Sequence, residues 1–132
     1  MPLSIRMDIV TRKKLNILIQ VALADKDFSE SERELIYKVA QEKGFPMETL
    51  QQLIQNPEPI GTLGALSETQ KEDYLVSSIE MVLADKQVVE SEIKMSQDIA
   101  IKLGFFKNVV SHLIQNLGKR PVGELGLSQY RF

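Results

Sequence analysis

The feature that most constrains this chain is a repeat: residues 23–32 read LADKDFSESE, and residues 83–92 read LADKQVVESE. Aligned at that spacing, residues 15–56 and 75–116 share sixteen identities in forty-two positions without a gap. Unrelated segments would rarely pair so well, so the chain is an internal duplication with a period of sixty. A unit of about sixty residues buries little apolar surface alone. Two copies are therefore expected to close their apolar faces on each other about a pseudo-twofold axis. A solenoid is disfavoured, because stacked arrays need at least three repeats and distinct caps.

Within each copy the apolar positions recur at three and four. Leu15, Leu18, Ile19, Ala22 and Leu23 form the stripe of a first helix running from Ile5 or Asp8 to Ala24, with Arg12, Lys13 and Lys14 assigned to its wet side. Ser29 with Glu32 three residues on matches a capping box, opening a second helix that ends at Gly44 with Phe45 folding back. Pro46 starts a short third helix that stops near Asn56, before Pro57 and Pro59. The loop 57–67 offers Ile60, Leu63 and Leu66 to the core. The second copy follows suit: a fourth helix from Ser67, a fifth from Glu90 to Gly104 with Phe105, and a sixth ending in the same LIQN as the third. Ser128 stands where another helix would begin. The expected fold is all-α: one compact domain over residues 1–132, of six or seven helices in two three-helix repeats, about 1–60 and 61–132.

With 132 residues and 43% apolar composition the chain supports one such core and no more. Sixteen basic against eighteen acidic residues give a formal charge of −2, which excludes a general electrostatic attraction to nucleic acid. The eight aromatic side chains do not interleave a basic patch. No apolar run approaches the length of a membrane span and the first residues lack a signal-peptide core, so no membrane insertion and a soluble cytoplasmic location are expected. The absence of cysteine rules out disulfides, thiolate metal sites and a cysteine nucleophile.

The two turns are acidic. Asp25, Asp27, Glu30 and Glu32 lie within eight residues, and Asp85, Glu90 and Glu92 repeat three of them. Hard cations such as calcium or magnesium take oxygen ligands of this kind. The spacing is not an EF-hand, which needs glycine sixth and glutamate twelfth where this chain has Glu30 and Ile36. A purely structural reading competes: Glu32 completes a cap, Glu30 favours a helix start, and Asp25 accepts backbone N–H groups in its own turn. If the first and fourth helices pair antiparallel, which is the favoured arrangement, Asp25 and Asp85 are separated and share no ion, leaving at most weak binding, mainly in the first turn; if instead the two turns meet, Asp25, Glu32, Asp85 and Glu92 together offer most of the oxygens that calcium takes. His112, the lone histidine, is read as a surface residue. No catalytic or cofactor-binding constellation is evident, so the chain is expected not to be an enzyme.

The duplicated ADK turn with its downstream glutamate and the helix ending in Gly-Phe resembles the TerB-like family, named for a tellurite-resistance protein. Asp25, Phe28, Ser29 and Glu32 match its pattern in one copy, and Asp85, Val88 and Glu92 in the other. Lys26 and Lys86 replace the family's turn glycine, and Val89 replaces its cap serine. The resemblance implies an all-helical domain, a role in stress or tellurite resistance, and an acidic surface that holds a cation. The alternative expectation is a metal-free interaction adaptor for an unknown protein, or for a second copy of itself.

Overall fold

Helix boundaries follow local chemistry. Ser29 is extended (φ −67°, ψ 161°), its hydroxyl accepts the Glu32 N–H at 3.2 Å, and the Glu32 carboxylate accepts the Ser29 N–H at 3.0 Å, so the expected capping box is present. Ser67 and Gln70 form a second one. At the other end of each repeat's middle helix, Gly44 (φ 67°) and Gly104 (φ 91°) adopt the left-handed conformation. The N–H groups of Phe45 and Phe105 then reach back to Ala40 and Ala100, closing a Schellman motif in both copies and burying both rings.

The computed structural model describes residues 3–24, 28–84 and 88–132, with side chains from Ile9 onward. It contains six α-helices: α1 (Leu3–Leu23), α2 (Glu30–Glu42), α3 (Met47–Gln55), α4 (Glu68–Leu83), α5 (Glu90–Lys102) and α6 (Val109–Asn116). There is no strand among the described residues. The ends of α1 and α4 fall sixty residues apart, and so do both bounds of α2 and α5. Ser128 opens no seventh α-helix; it lies in a 3₁₀ turn, Leu127–Tyr130, that follows another at Val122–Glu124.

The fold centres on the pairing of α1 with α4, each flanked by the other helices of its own repeat. Both central helices are covered on nearly every side. In α1 this buries Thr11, Asn16, Ile17 and Val21 as well as Leu15, Leu18, Ile19 and Ala22 of the expected stripe, with Leu23 half-buried, and in α4 it buries everything from Tyr74 to Ile79. Leu63 and Leu66 of the inter-repeat loop join the same core, as expected.

One expectation fails here. Lys14 is not on a wet face: it is only 9% exposed, and its ammonium donates to Asp73 of α4 at 2.8 Å. The amphipathic pattern assigns one dry stripe per helix, whereas a helix wedged between repeats has little wet side, so the lysine buries its stem and keeps an ion partner. Tyr74 donates its hydroxyl to the Val10 carbonyl across the same interface, and burial pushes its pKa above the ordinary tyrosine value.

Candidate functional site

Of the seven acidic residues singled out in the turns, Asp25, Asp27 and Asp85 lie outside the described residues, as do Lys26 and Lys86. Glu30 and Glu90 are exposed in the first turns of α2 and α5, where the helix dipole favours them. Glu32 and Glu92 are fully buried. One Glu32 carboxylate oxygen completes the cap, and the other, Oε2, is buried without a hydrogen-bond partner among the described residues. Val89 caps α5 with no side-chain hydrogen bond. Among the described residues no group of three or more histidine or carboxylate side chains is placed to hold a metal ion.

A different site emerges from comparing the two halves. The α5 helix packs on α1, but the corresponding pair, α2 and α4, makes little close backbone contact. In the first half the segment after α3 is fastened to α1. Asn16 donates to the Glu58 carbonyl and accepts the Glu58 N–H, both at 2.9 Å, while Gln20 donates to the same carbonyl and Arg12 pairs with the Glu58 carboxylate. The hydrogen bond with Arg12 holds the Glu58 carboxyl below the usual carboxylate range and raises the guanidinium pKa. Asn16 is thus a buried amide with both of its functions used.

The second half lacks this fastening. Sixty residues on, Asn16 becomes Val76, Gln20 becomes Glu80 and Glu58 becomes Gly118. Among the described residues no hydrogen bond joins α4 to residues 117–122. Gly118 (φ 87°) turns the segment instead. What remains between α2, α4 and that segment is an open groove of about 760 Å³. The matching cleft of the first half, bounded by Gln20, Leu23, Ala24, Met95 and the loop 57–59, measures about 440 Å³. Leu35, Val76, Leu83 and Leu117 line the larger groove, with Glu34, Lys38, Glu80 and Arg120 supplying its charge. A second hollow of about 220 Å³ shares Leu35, Lys38 and Glu80, extending the groove toward Lys14, Glu42 and Asp73. By surface area Glu80 is exposed at the rim, yet desolvation against the groove walls raises its carboxyl pKa, opposed by nearby Lys14. It has no ion-pair partner within 4 Å among the described residues.

His112 supports this groove and is not the idle surface residue expected from sequence. Its Nε2 lies 2.6 Å from the Leu125 carbonyl, Nδ1 lies 3.3 Å from the Asn116 amide, and its ring stacks on Tyr130. With Nε2 as donor and Nδ1 as acceptor, both contacts are satisfied by the neutral ring. The tail is fastened again by Arg131, over the Phe105 ring and paired with Glu68, and by the Phe132 N–H on the Gly104 carbonyl. The groove wall at Pro121 and Val122 thereby rests on a tail anchored to α6 and the core. Sequence reasoning gave no sign of it, because no local pattern links His112 to residues 125 and 130.

No helix among the described residues is long and apolar enough to cross a membrane. No family model, curated protein or solved structure matches the chain.

Proposed function

We propose that this chain is a non-enzymatic, cytoplasmic interaction module whose second-half groove receives a partner protein. The observation that carries the reading is the divergence between two copies of one cleft. Where the first is fastened by Asn16 and Gln20 on the Glu58 backbone, the second is opened by Val76, Glu80 and Gly118. The groove has the size and mixed lining of ligand sites, apolar with a few charged groups. A photoreactive amino acid at Val122, which lines the groove and is 49% exposed, tests this in cells of the native host. Discrete adducts from Val122 and none from Ile9, 43% exposed on α1, are expected; equal yields from both, or none from Val122, reject the module.

A second reading rests on Glu32. Its buried Oε2, without a hydrogen-bond partner among the described residues and close in sequence to Asp25 and Asp27, supports weak binding of a calcium or magnesium ion there, in keeping with the TerB-like resemblance and a role in stress or tellurite resistance. A ligand of the native state raises the melting temperature by mass action. Thermal melts with millimolar calcium, magnesium, manganese or zinc are expected to show a small rise for calcium or magnesium that is absent in Asp25→Asn. Identical melts with and without ions end this reading.

A further inference from the structure

We propose that the groove between α2 and α4 takes an extended peptide segment of a partner protein, one that presents a lysine or arginine to Glu80 between apolar residues or proline. This names the occupant of the site under Proposed function and rests on that reading.

The chain itself shows what such a cleft accepts. In the first half, the α1 positions equivalent to Val76 and Glu80 hold Glu58, between Pro57 and Pro59, by its backbone N–H and C=O. The recognised element is a proline-flanked stretch of main chain rather than a helix. In the second half Gln20, a donor, is replaced by Glu80, which when ionised only accepts. The complementary group must therefore bring its own proton: a backbone N–H or, better matched to a carboxylate without an ion partner among the described residues, a cationic side chain. Val76 in place of Asn16 removes one polar requirement and adds an apolar one.

Dimensions agree with a segment of chain. From Asp73 to Leu83 the groove follows about ten residues of α4, roughly 15 Å at the helical rise. That length holds about four or five extended residues. The charges favour a basic occupant: Lys14 is already paired with Asp73, leaving Glu34, Glu42 and Glu80 against Lys38 and Arg120.

The test is an array of seven-residue peptides of degenerate sequence, each with one fixed residue, probed with the purified full chain. Lysine or arginine should be selected at one position, with aliphatic residues or proline nearby. Glu80→Lys should move the choice at that position to aspartate or glutamate. Asp98→Lys, the same charge reversal on the far helix α5, should leave the selection unchanged, and Val76→Arg should weaken binding at least tenfold. Circular dichroism of each variant checks that it is folded, and Glu80→Gln, which should reduce the basic preference without inverting it, serves if Glu80→Lys does not fold. No selection, or the same selection by wild type and the Glu80 variants, overturns the proposal. So does a concentration-dependent dimer in sedimentation that Glu80→Lys dissolves, which would seat a second copy in the groove, or equal competition by free butylamine. Crosslinks from Val122 without a basic preference on the array would refute the peptide chemistry alone; absence of both would refute the interaction module as well.

Discussion

Asn16 is the buried amide that fastens the first half's loop to α1. It is 5% exposed and exchanges two hydrogen bonds with Glu58, so Asn16→Ala strands the Glu58 N–H and leaves the Glu58 carbonyl to Gln20 alone. Stranded groups of this kind cost about 1 to 3 kcal/mol, and urea denaturation should show a loss in that range. An unchanged midpoint would mean that the loop 57–59 is held by something else. Glu80 should behave in the opposite way, because its carboxyl pKa is raised and its ionised form disfavours the fold. A carboxyl shifted upward contributes stability that is complete below its unfolded value and lost as pH rises through its folded value. Glu80→Gln should therefore match wild type near pH 4 and exceed it at pH 7, by no more than about 0.5 kcal/mol for so exposed a group. Denaturation at the two pH values measures this, and a loss at pH 7 would make Glu80 a structural residue. Neither role was legible beforehand. In a stripe of apolar residues Asn16 looks like an interruption, and Glu80 looks like any exposed helix glutamate; only the cleft gives them meaning.

Helix ends were the most legible elements, because caps are local. Ser29 with Glu32, Gly44 with Phe45, and Gly104 with Phe105 are each complete within six residues of sequence, and all form the expected bonds. Ser29→Ala and Glu32→Ala should each cost about 0.5 to 2 kcal/mol, with the double variant losing less than the sum, as a double-mutant cycle in denaturant would show. Additive losses would indicate two independent roles. The second copy offers the converse: Val89 leaves α5 without a side-chain cap, so Val89→Ser should add about 0.5 to 1 kcal/mol, and a lower melting temperature would contradict the equivalence of the two turns. What one helix cannot reveal is how much of its circumference the others cover. Lys14 was placed in water for that reason, and His112 was left idle because its partners lie 13 and 18 residues away.

At the scale of the molecule the duplication was readable, and with it the all-helical class and six of the helices. The cleft was not, since it exists only as a difference between two copies of one packing arrangement. Three substitutions produce that difference, at 16 and 76, 20 and 80, and 58 and 118, and each is unremarkable in its own segment. The central claim is that equivalent clefts have diverged, one fastened and narrowed by the chain's own Glu58 segment and one left wider for a partner. Leu35 and Met95 are equivalent positions in the two clefts, and the chain has no cysteine, so a single introduced thiol can report on each. Labelling with a cell-permeant maleimide should be slower in cells of the native host than in the purified protein for the Leu35→Cys variant, and equally fast in both for Met95→Cys. Equal rates for Leu35→Cys in cells and in the purified protein, or equal protection of both variants in cells, would contradict it.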